Sequence, residues 1–301
     1  MISPVTMDPK ASTQLAVDDW ARSGSYHAVG GHRIFAVDTG GQKPPLVLLH
    51  GYPTSSHDFH RVLPKLAEKF RVIVHDHLGF GLSDKPARYS YSLLEQTNQA
   101  IALWQALGVH RAHLVAHDYG TSIATELIAR RNAGDEPLEL MSLTLSNGSV
   151  HIELAKLRFI QKLLRNKLTG PIVARLSSKR IFRSNMRQLW GDPSKLGEDE
   201  VDVMWAILTR NQGKSRLHKI TQYLRDRVRY WERWVGALKA CDLPTHVLWG
   251  AEDPITGGDV ARLHHDEIAN SKLTLLDGVG HYPMLEAPDR WADALVGELP
   301  A

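Results

Sequence analysis

A chain of 301 residues with one cysteine, Cys241, cannot close an internal disulfide, so its fold rests on packing and hydrogen bonding. That scarcity fits a reducing compartment. No apolar run approaches the roughly 20 residues that a membrane span needs. The first 25 residues hold none long enough for a signal peptide. A soluble, cytoplasmic protein is therefore expected. No phosphate-cradling loop is present either, because Gly79-Phe80-Gly81 lacks the third glycine of such a motif. Gly-x-Ser-x-Gly is also missing. A serine nucleophile would have to be borrowed from Ser122 or Ser146, neither at the apex of a strand-to-helix turn. The 16 histidines include His57-Asp58-Phe59-His60 and His75-Asp76-His77. His75 and His77 point oppositely on an extended chain and no cysteine cluster supports them, so no metal is assigned. No cofactor and no nucleic-acid partner are implied.

What is present is an ordinary globular composition, 43% hydrophobic and 23% charged, with an uneven charge distribution. Residues 151–240 hold 20 Lys/Arg against 8 Asp/Glu, while the remainder holds 16 against 25. A basic insertion in an acidic body suggests a separate unit. It reads first as a solvated helical face; preference for an anionic substrate and peripheral contact with a membrane surface are the other readings. The pattern implies no oligomeric state.

Short apolar runs alternate with helical periodicity. Arg33–Asp38, Pro45–His50, Arg71–Asp76, His113–His117, Met141–Ser146, Thr245–Gly250 and Lys272–Asp277 read as strands. Phe59–Lys69, Leu93–Leu107, Thr121–Arg131, Val260–Ile268 and Arg290–Leu299 read as helices. Near-continuous runs such as "PLVLL" suit a sheet covered on both faces. The expectation is an α/β fold, a mostly parallel doubly wound sheet. Its rhythm breaks after Ser146. Residues 150–235 read as an inserted helical cap, and 1–149 with 236–301 as the core domain. Within the cap, Leu154, Leu157, Ile160, Leu163, Leu164 and Leu168 follow helical spacing and predict one amphipathic helix. Leu164, Ile172, Trp190 and Trp205 suggest an apolar pocket.

The chemistry centres on Ala116-His117-Asp118-Tyr119-Gly120, a strand, a sharp turn and a helix start. Such an elbow lifts its central side chain at the carboxyl edge of the sheet and demands small residues two positions either side. Ala116 and Gly120 meet that demand. On the pentapeptide alone, Asp118 as a helix cap is equally good. Two downstream strand ends tip the balance: "LWGAEDPI" delivers Asp253 and "LLDGVGHYP" delivers His281. Nucleophile, acid, then histidine is the chain order of an α/β-hydrolase triad. Asp118 would be the nucleophile, His281 the base and Asp253 the group orienting the imidazole. "HGYP" follows a buried strand, where the amides of Tyr52 and Tyr119 would point at developing charge. His50, Pro53 and His117 are further candidates for contact with substrate. Attack by a carboxylate on a carbonyl gives a high-energy anhydride, whereas attack on an sp3 carbon bearing a leaving group gives a stable alkyl ester. Epoxides and alkyl halides are therefore the expected substrate classes.

These residues carry a family resemblance. With "HGYPTSS", "LGFGLSDKP", "HDYG", "LSNG", "QY", "RWVGAL" and "GHYP", the chain resembles the α/β-hydrolases that include epoxide hydrolases and haloalkane dehalogenases. Within them it is most similar to the mesoderm-specific transcript proteins and their bacterial relatives. The resemblance implies how the leaving group is met. Dehalogenases often bind halide with an asparagine after His-Gly and a tryptophan after the nucleophile, positions held here by Tyr52 and Tyr119. Epoxide hydrolases protonate the oxygen with tyrosines hanging from the cap, which points to Tyr223, with Tyr230 less well placed. A second cap tyrosine usual in that family has no counterpart, and His151 is a substitute donor. Tyr223 as a packing aromatic is the structural alternative.

The reading is a hydrolase that opens small hydrophobic epoxides to vicinal diols through an Asp118 ester. Dehalogenation, ester or lactone hydrolysis, and ligand binding without turnover are the alternatives.

Overall fold

The computed structural model describes residues 9–300; residues 1–8, part of the stretch searched for a signal peptide, and residue 301 lie outside it. Eight strands form one sheet: β1 (Ser25–Val29), β2 (His32–Asp38), β3 (Pro45–Leu49), β4 (Arg71–His75), β5 (Arg111–His117), β6 (Glu139–Ser146), β7 (Thr245–Gly250) and β8 (Ser271–Leu276). Their order is β1-β2-β4-β3-β5-β6-β7-β8. From β4 to β8 every neighbouring pair is parallel; β1 and β2 add an antiparallel edge. Helices cover both faces, which is why Leu46 to Leu49 are all fully buried without alternation. Burying a side chain of that kind contributes about 1.5–3 kcal/mol.

The seven expected strands are all present within a residue or two. β1 is the strand the periodicity did not show. Its sequence, SYHAV, is mostly exposed, and it pairs with β2 only across the Gly30-Gly31 turn, where both φ values are positive. The helix expected over Phe59–Lys69 is split into a 3-10 turn, Ser56–Phe59, and a short helix, Leu63–Ala67. Pro64 has no amide to continue the helix from the preceding turn, so it restarts at the first position that tolerates proline. The helix Leu93–Ala106 starts as its sequence directs, with Ser92 accepting from the Glu95 amide.

Between β6 and β7 the described chain forms helices joined by loops, with no strand. The single amphipathic helix expected over Leu154–Leu168 is not formed. Residues 151–158 are turns and extended chain, the helix runs only from Phe159 to Arg165, and Leu154 and Leu168 are exposed. The last helix here, Trp231–Lys239, runs across the boundary expected at 235/236. Arg233 and Trp234 both donate to Glu126 of the core helix Tyr119–Asn132. A helix not expected from sequence, Pro9–Arg22, buries Val17 and Trp20 against the cap helix Glu198–Thr209 and the His57 ring.

The parallel strands all end at one edge, and the sharp turn after β5 lies in its middle. Gly120 there has no room for a side chain: a Cβ would stand 2.6 Å from Leu49 Cβ and 2.7 Å from its carbonyl oxygen. Gly120→Ala should therefore cost about 1–3 kcal/mol through overpacking, read as a lower urea midpoint at unchanged slope. An unaltered midpoint would contradict the close approach.

Candidate active site

Asp118 sits at the junction of β5 and the helix Tyr119–Asn132 with φ 43° and ψ −102°, a conformation side chains rarely adopt. Its side chain caps nothing in that helix. Instead Oδ2 accepts the Tyr52 amide at 2.9 Å. That geometry decides between cap and elbow. Tyr119 opens the helix, so its amide is one of those without an intrahelical acceptor. Gly51 makes the approach of the loop after β3 feasible, since a Cβ there would lie 2.9 Å from Asp118 Cβ.

His281 follows β8 and Asp253 follows β7. His281 Nδ1 donates to Asp253 Oδ2 at 2.7 Å, and both residues are buried. Burial alone would depress the imidazole. The charge and hydrogen bond of Asp253, with Asp118 beyond, outweigh it and raise the His281 pKa. Burial likewise disfavours the Asp253 carboxylate, but His281, the Asn147 amide and the Ile255 amide hold its pKa below the ordinary value. Asn147, at φ 46° after β6, donates to Asp253 Oδ2 at 3.0 Å, and Thr256 Oγ1 donates to the same oxygen at 2.7 Å. Sequence reasoning gave neither a role, although "LSNG" carried the asparagine.

Above these groups lies a narrow cavity of about 90 Å³. Tyr52, Pro53, Asp118 and His281 form its floor; Leu164, Phe182, Met186, Trp205 and Leu208 of the cap enclose it. Leu164 and Trp205 thus line the pocket as expected. Ile172 is mostly exposed, and Trp190 stacks on Tyr282, so neither does. His50 is consumed by the fold: Nδ1 donates to the Gly51 carbonyl and Nε2 accepts the His77 amide. Burial lowers its pKa to about 4. His117 Nε2 donates to the His281 carbonyl at 2.8 Å, bracing the loop that carries His281, and does not line the cavity. Tyr230 packs on Trp234 away from the cavity, and His151 is clasped between Glu153 and Glu267. Neither serves as a donor at the pocket. Of the two serines considered, Ser122 accepts from Arg227 and Ser146 from Trp291.

Tyr223 is fully buried, its ring 5.1 Å from that of Tyr119 and 5.7 Å from that of Tyr52. Burial raises its pKa, reinforced by the Asp118 charge and opposed by Arg227 and by the Gln161 side chain. Tyr223 is not among the residues that line the cavity. At the Tyr52 hydroxyl, Thr221 Oγ1 spends its proton on the Leu217 carbonyl, so Tyr52 donates to Thr221 at 2.9 Å. Arg227 is the residue the sequence concealed. Buried at 3% exposure, it donates to the Asp118 carbonyl at 3.0 Å and lies 3.9 Å from Asp118 Oδ1. Its guanidinium also stacks on the Tyr223 ring.

A carboxylate on an elbow beside a His–Asp pair, roofed by helices inserted between two strands, is the arrangement of an α/β-hydrolase. The α/β hydrolase fold family matches residues 44–288, and the chain belongs to it. It is 37% identical over 287 residues to the hydrolase LipZ of Mycobacterium tuberculosis, covering 95% of this chain and 99% of that one. It is 35% identical over 299 residues to the mesoderm-specific transcript protein of Mus musculus, covering 96% and 89%. Among solved structures, the epoxide hydrolase CorEH matches with a TM-score of 0.76 at 20% identity, over 91% of this chain and 97% of that one. An ancestral haloalkane dehalogenase matches at 0.78 and 22%, over 91% and 97%. Likenesses this distant in sequence establish the fold alone.

The pair His281–Asp253 makes a measurable prediction without substrate. In Asp253→Asn the main opposition to burial is lost, so the His281 ring titration, followed by NMR, should move to lower pH. An unmoved midpoint would contradict the coupling.

Proposed function

We propose that this hydrolase opens epoxides to vicinal diols with Asp118 as the attacking group. The observation that carries the reading is the posture of Asp118. One oxygen is engaged by the Tyr52 amide, and the residue lines a pocket roofed by apolar side chains. In the first step Asp118 Oδ1 attacks an epoxide carbon, the carbon–oxygen bond breaks, and the ring oxygen takes the Tyr223 proton. An epoxide-derived alkoxide is far more basic than a phenolate, so a phenol whose pKa is raised by burial still transfers its proton downhill. In the second step His281 removes a proton from water, whose oxygen attacks the ester carbon of Asp118. The tetrahedral oxyanion lies against the Tyr52 and Tyr119 amides. Collapse expels the diol's second oxygen, which takes its proton from His281; Asp118, left as the acid, releases its proton to solvent, and Tyr223 is reprotonated from solvent. Asp253 stabilises the imidazolium in between.

The second step needs neutral His281. Because its pKa is raised, ester hydrolysis should quicken as pH rises through a window above the ordinary histidine value of about 6.5. The narrow apolar cavity favours small or slender apolar epoxides. Dehalogenation is the second reading, and the pocket argues against it. Its floor offers tyrosine at position 52, with the hydroxyl already bonded to Thr221, and the Tyr119 side chain packs among His77, Phe80 and Tyr223. Neither side chain carries an N–H for a halide.

His281→Gln should accumulate the alkyl-enzyme. Incubated with a mixed panel of epoxides and haloalkanes, it should gain the whole mass of an epoxide, mapped to Asp118. An adduct lacking halogen would move the enzyme to dehalogenation, and no adduct at all would overturn the covalent mechanism. Tyr223→Phe should slow epoxide opening by about 10²–10⁴-fold, the usual worth of a positioned acid. A loss of less than about tenfold would make Tyr223 a packing residue.

A further inference from the structure

Of the large apolar side chains that stand exposed among the described residues, only Leu15 and Tyr26 lie outside the cap. Phe159, Leu168, Ile172 and Leu176 are 75%, 84%, 61% and 70% exposed, and Ile181 is 46% exposed. All five belong to three successive helices and their joints: Phe159–Arg165, Gly170–Leu176 and Lys179–Arg187. Soluble proteins seldom concentrate large aliphatic side chains in this way without a surface to bury them against.

The same segment is strongly basic. Residues 151–187 hold ten Lys/Arg and one acid, Glu153. Lys179, Arg183 and Arg187 are spent on Asp202 and Glu198 of the next cap helix, and Arg158 bonds Gln188. Lys156, Lys162, Arg165, Lys167, Arg175 and Arg180 make no ion pair among the described residues. Beside Leu168 runs a cleft lined by Lys167, Lys219, Arg225 and Arg229, with Asp226 its acidic member.

We propose that this face of the cap docks on an anionic lipid bilayer, inserting Leu168, Ile172 and Leu176 among the acyl chains while the lysines and arginines meet the headgroups. Long basic side chains flanking short apolar ones are suited to that boundary, because their stems lie along apolar surface and their charges stay at the headgroups. A second copy of the chain is the poorer occupant. Two such faces would set like charges against each other with one acid apiece to offset them. A soluble polyanion would satisfy the charges and leave the aliphatic tips in water.

Docking would also serve the pocket. Ile160, Ser177, Ile181 and Asn185 line the cavity while remaining partly exposed, so the cavity reaches the surface within this same face. An apolar substrate dissolved in the bilayer would enter without crossing water. The docking surface does not depend on the epoxide chemistry, and vesicle binding and adduct trapping fail separately.

The test is cosedimentation of the full chain with vesicles of phosphatidylcholine, alone or mixed with phosphatidylglycerol, at physiological salt. The mixed vesicles should bind at least about tenfold more tightly, as several basic residues near an anionic surface require. Leu168→Ser/Ile172→Ser/Leu176→Ser should lose about tenfold or more of that binding while keeping its circular dichroism and melting temperature. Lys167→Glu/Arg175→Glu should abolish the preference for phosphatidylglycerol. Failure to bind either vesicle would overturn the proposal. So would binding that the serine variant leaves intact, which would be electrostatic adsorption alone. A dimer in solution that the serine variant dissociates, with no vesicle binding, would assign the face to a second copy instead.

Discussion

The hydrogen bond from the Tyr52 amide to Asp118 Oδ2, 2.9 Å long, is the contact around which the rest of the site is arranged. To make it, Asp118 must stand on a turn with positive φ, at a strain of about 1–3 kcal/mol. The loop after β3 must also come within touching distance of that turn. Both demands are met by deleting side chains at Gly51 and Gly120, where the sheet edge brings two connections together. What the strain gains is orientation. One carboxylate oxygen is engaged by the amide that, in the proposed reaction, would later hold an oxyanion, and the other is the one proposed to attack. A serine at this place would present a single oxygen and need its proton removed first. Aspartate is already a nucleophile and needs His281 only afterwards.

A bare carboxylate under an apolar roof is costly unless its charge is answered. Two groups answer it. His281 is kept protonatable by Asp253, itself held by Asn147 and Thr256. Arg227 descends from the cap, bonds the Asp118 carbonyl and Ser122, and stacks on Tyr223. The cap is thereby tied to the elbow through one buried side chain. The proposed nucleophile, the elbow backbone and the proposed proton donor share that guanidinium, so cap position and site geometry are one variable. Arg227 donates through a planar fork in two directions, a role that lysine would not fill.

Much of this was legible in the sequence because the decisive residues sit at strand ends. A run such as "HLVAH" or "HVLWG" places whatever follows it at the carboxyl edge of a parallel sheet, and Asp118, Asp253 and His281 all follow such runs. Leu164 and Trp205 were legible as pocket residues for the simpler reason that they are large and apolar. Arg227 was not: its sequence neighbours, Arg225 and Arg229, are equally basic, and only packing of the cap decides which of the three is buried. His50 and His117 were misassigned as ligand contacts because a histidine beside a site residue looks the same whether it faces ligand or backbone. Here both ring nitrogens of His50 and Nε2 of His117 bond main-chain groups. β1 escaped notice because an exposed edge strand has no apolar alternation to show, although its Gly30-Gly31 turn was a usable signal. The cap helix expected over Leu154–Leu168 failed for a related reason. Its stripe was real in spacing, but Leu154 and Leu168 serve a surface and not a core.

The central claim is that Asp118 forms an ester, and oxygen bookkeeping tests it most directly. A single turnover with excess enzyme in ¹⁸O-water should give a diol free of the label and leave one ¹⁸O in the peptide carrying Asp118. The oxygen added to substrate would then come from the protein and be replaced from solvent. Label in the diol with none in Asp118 would mean direct attack by water, and Asp118 would be a base or a spectator.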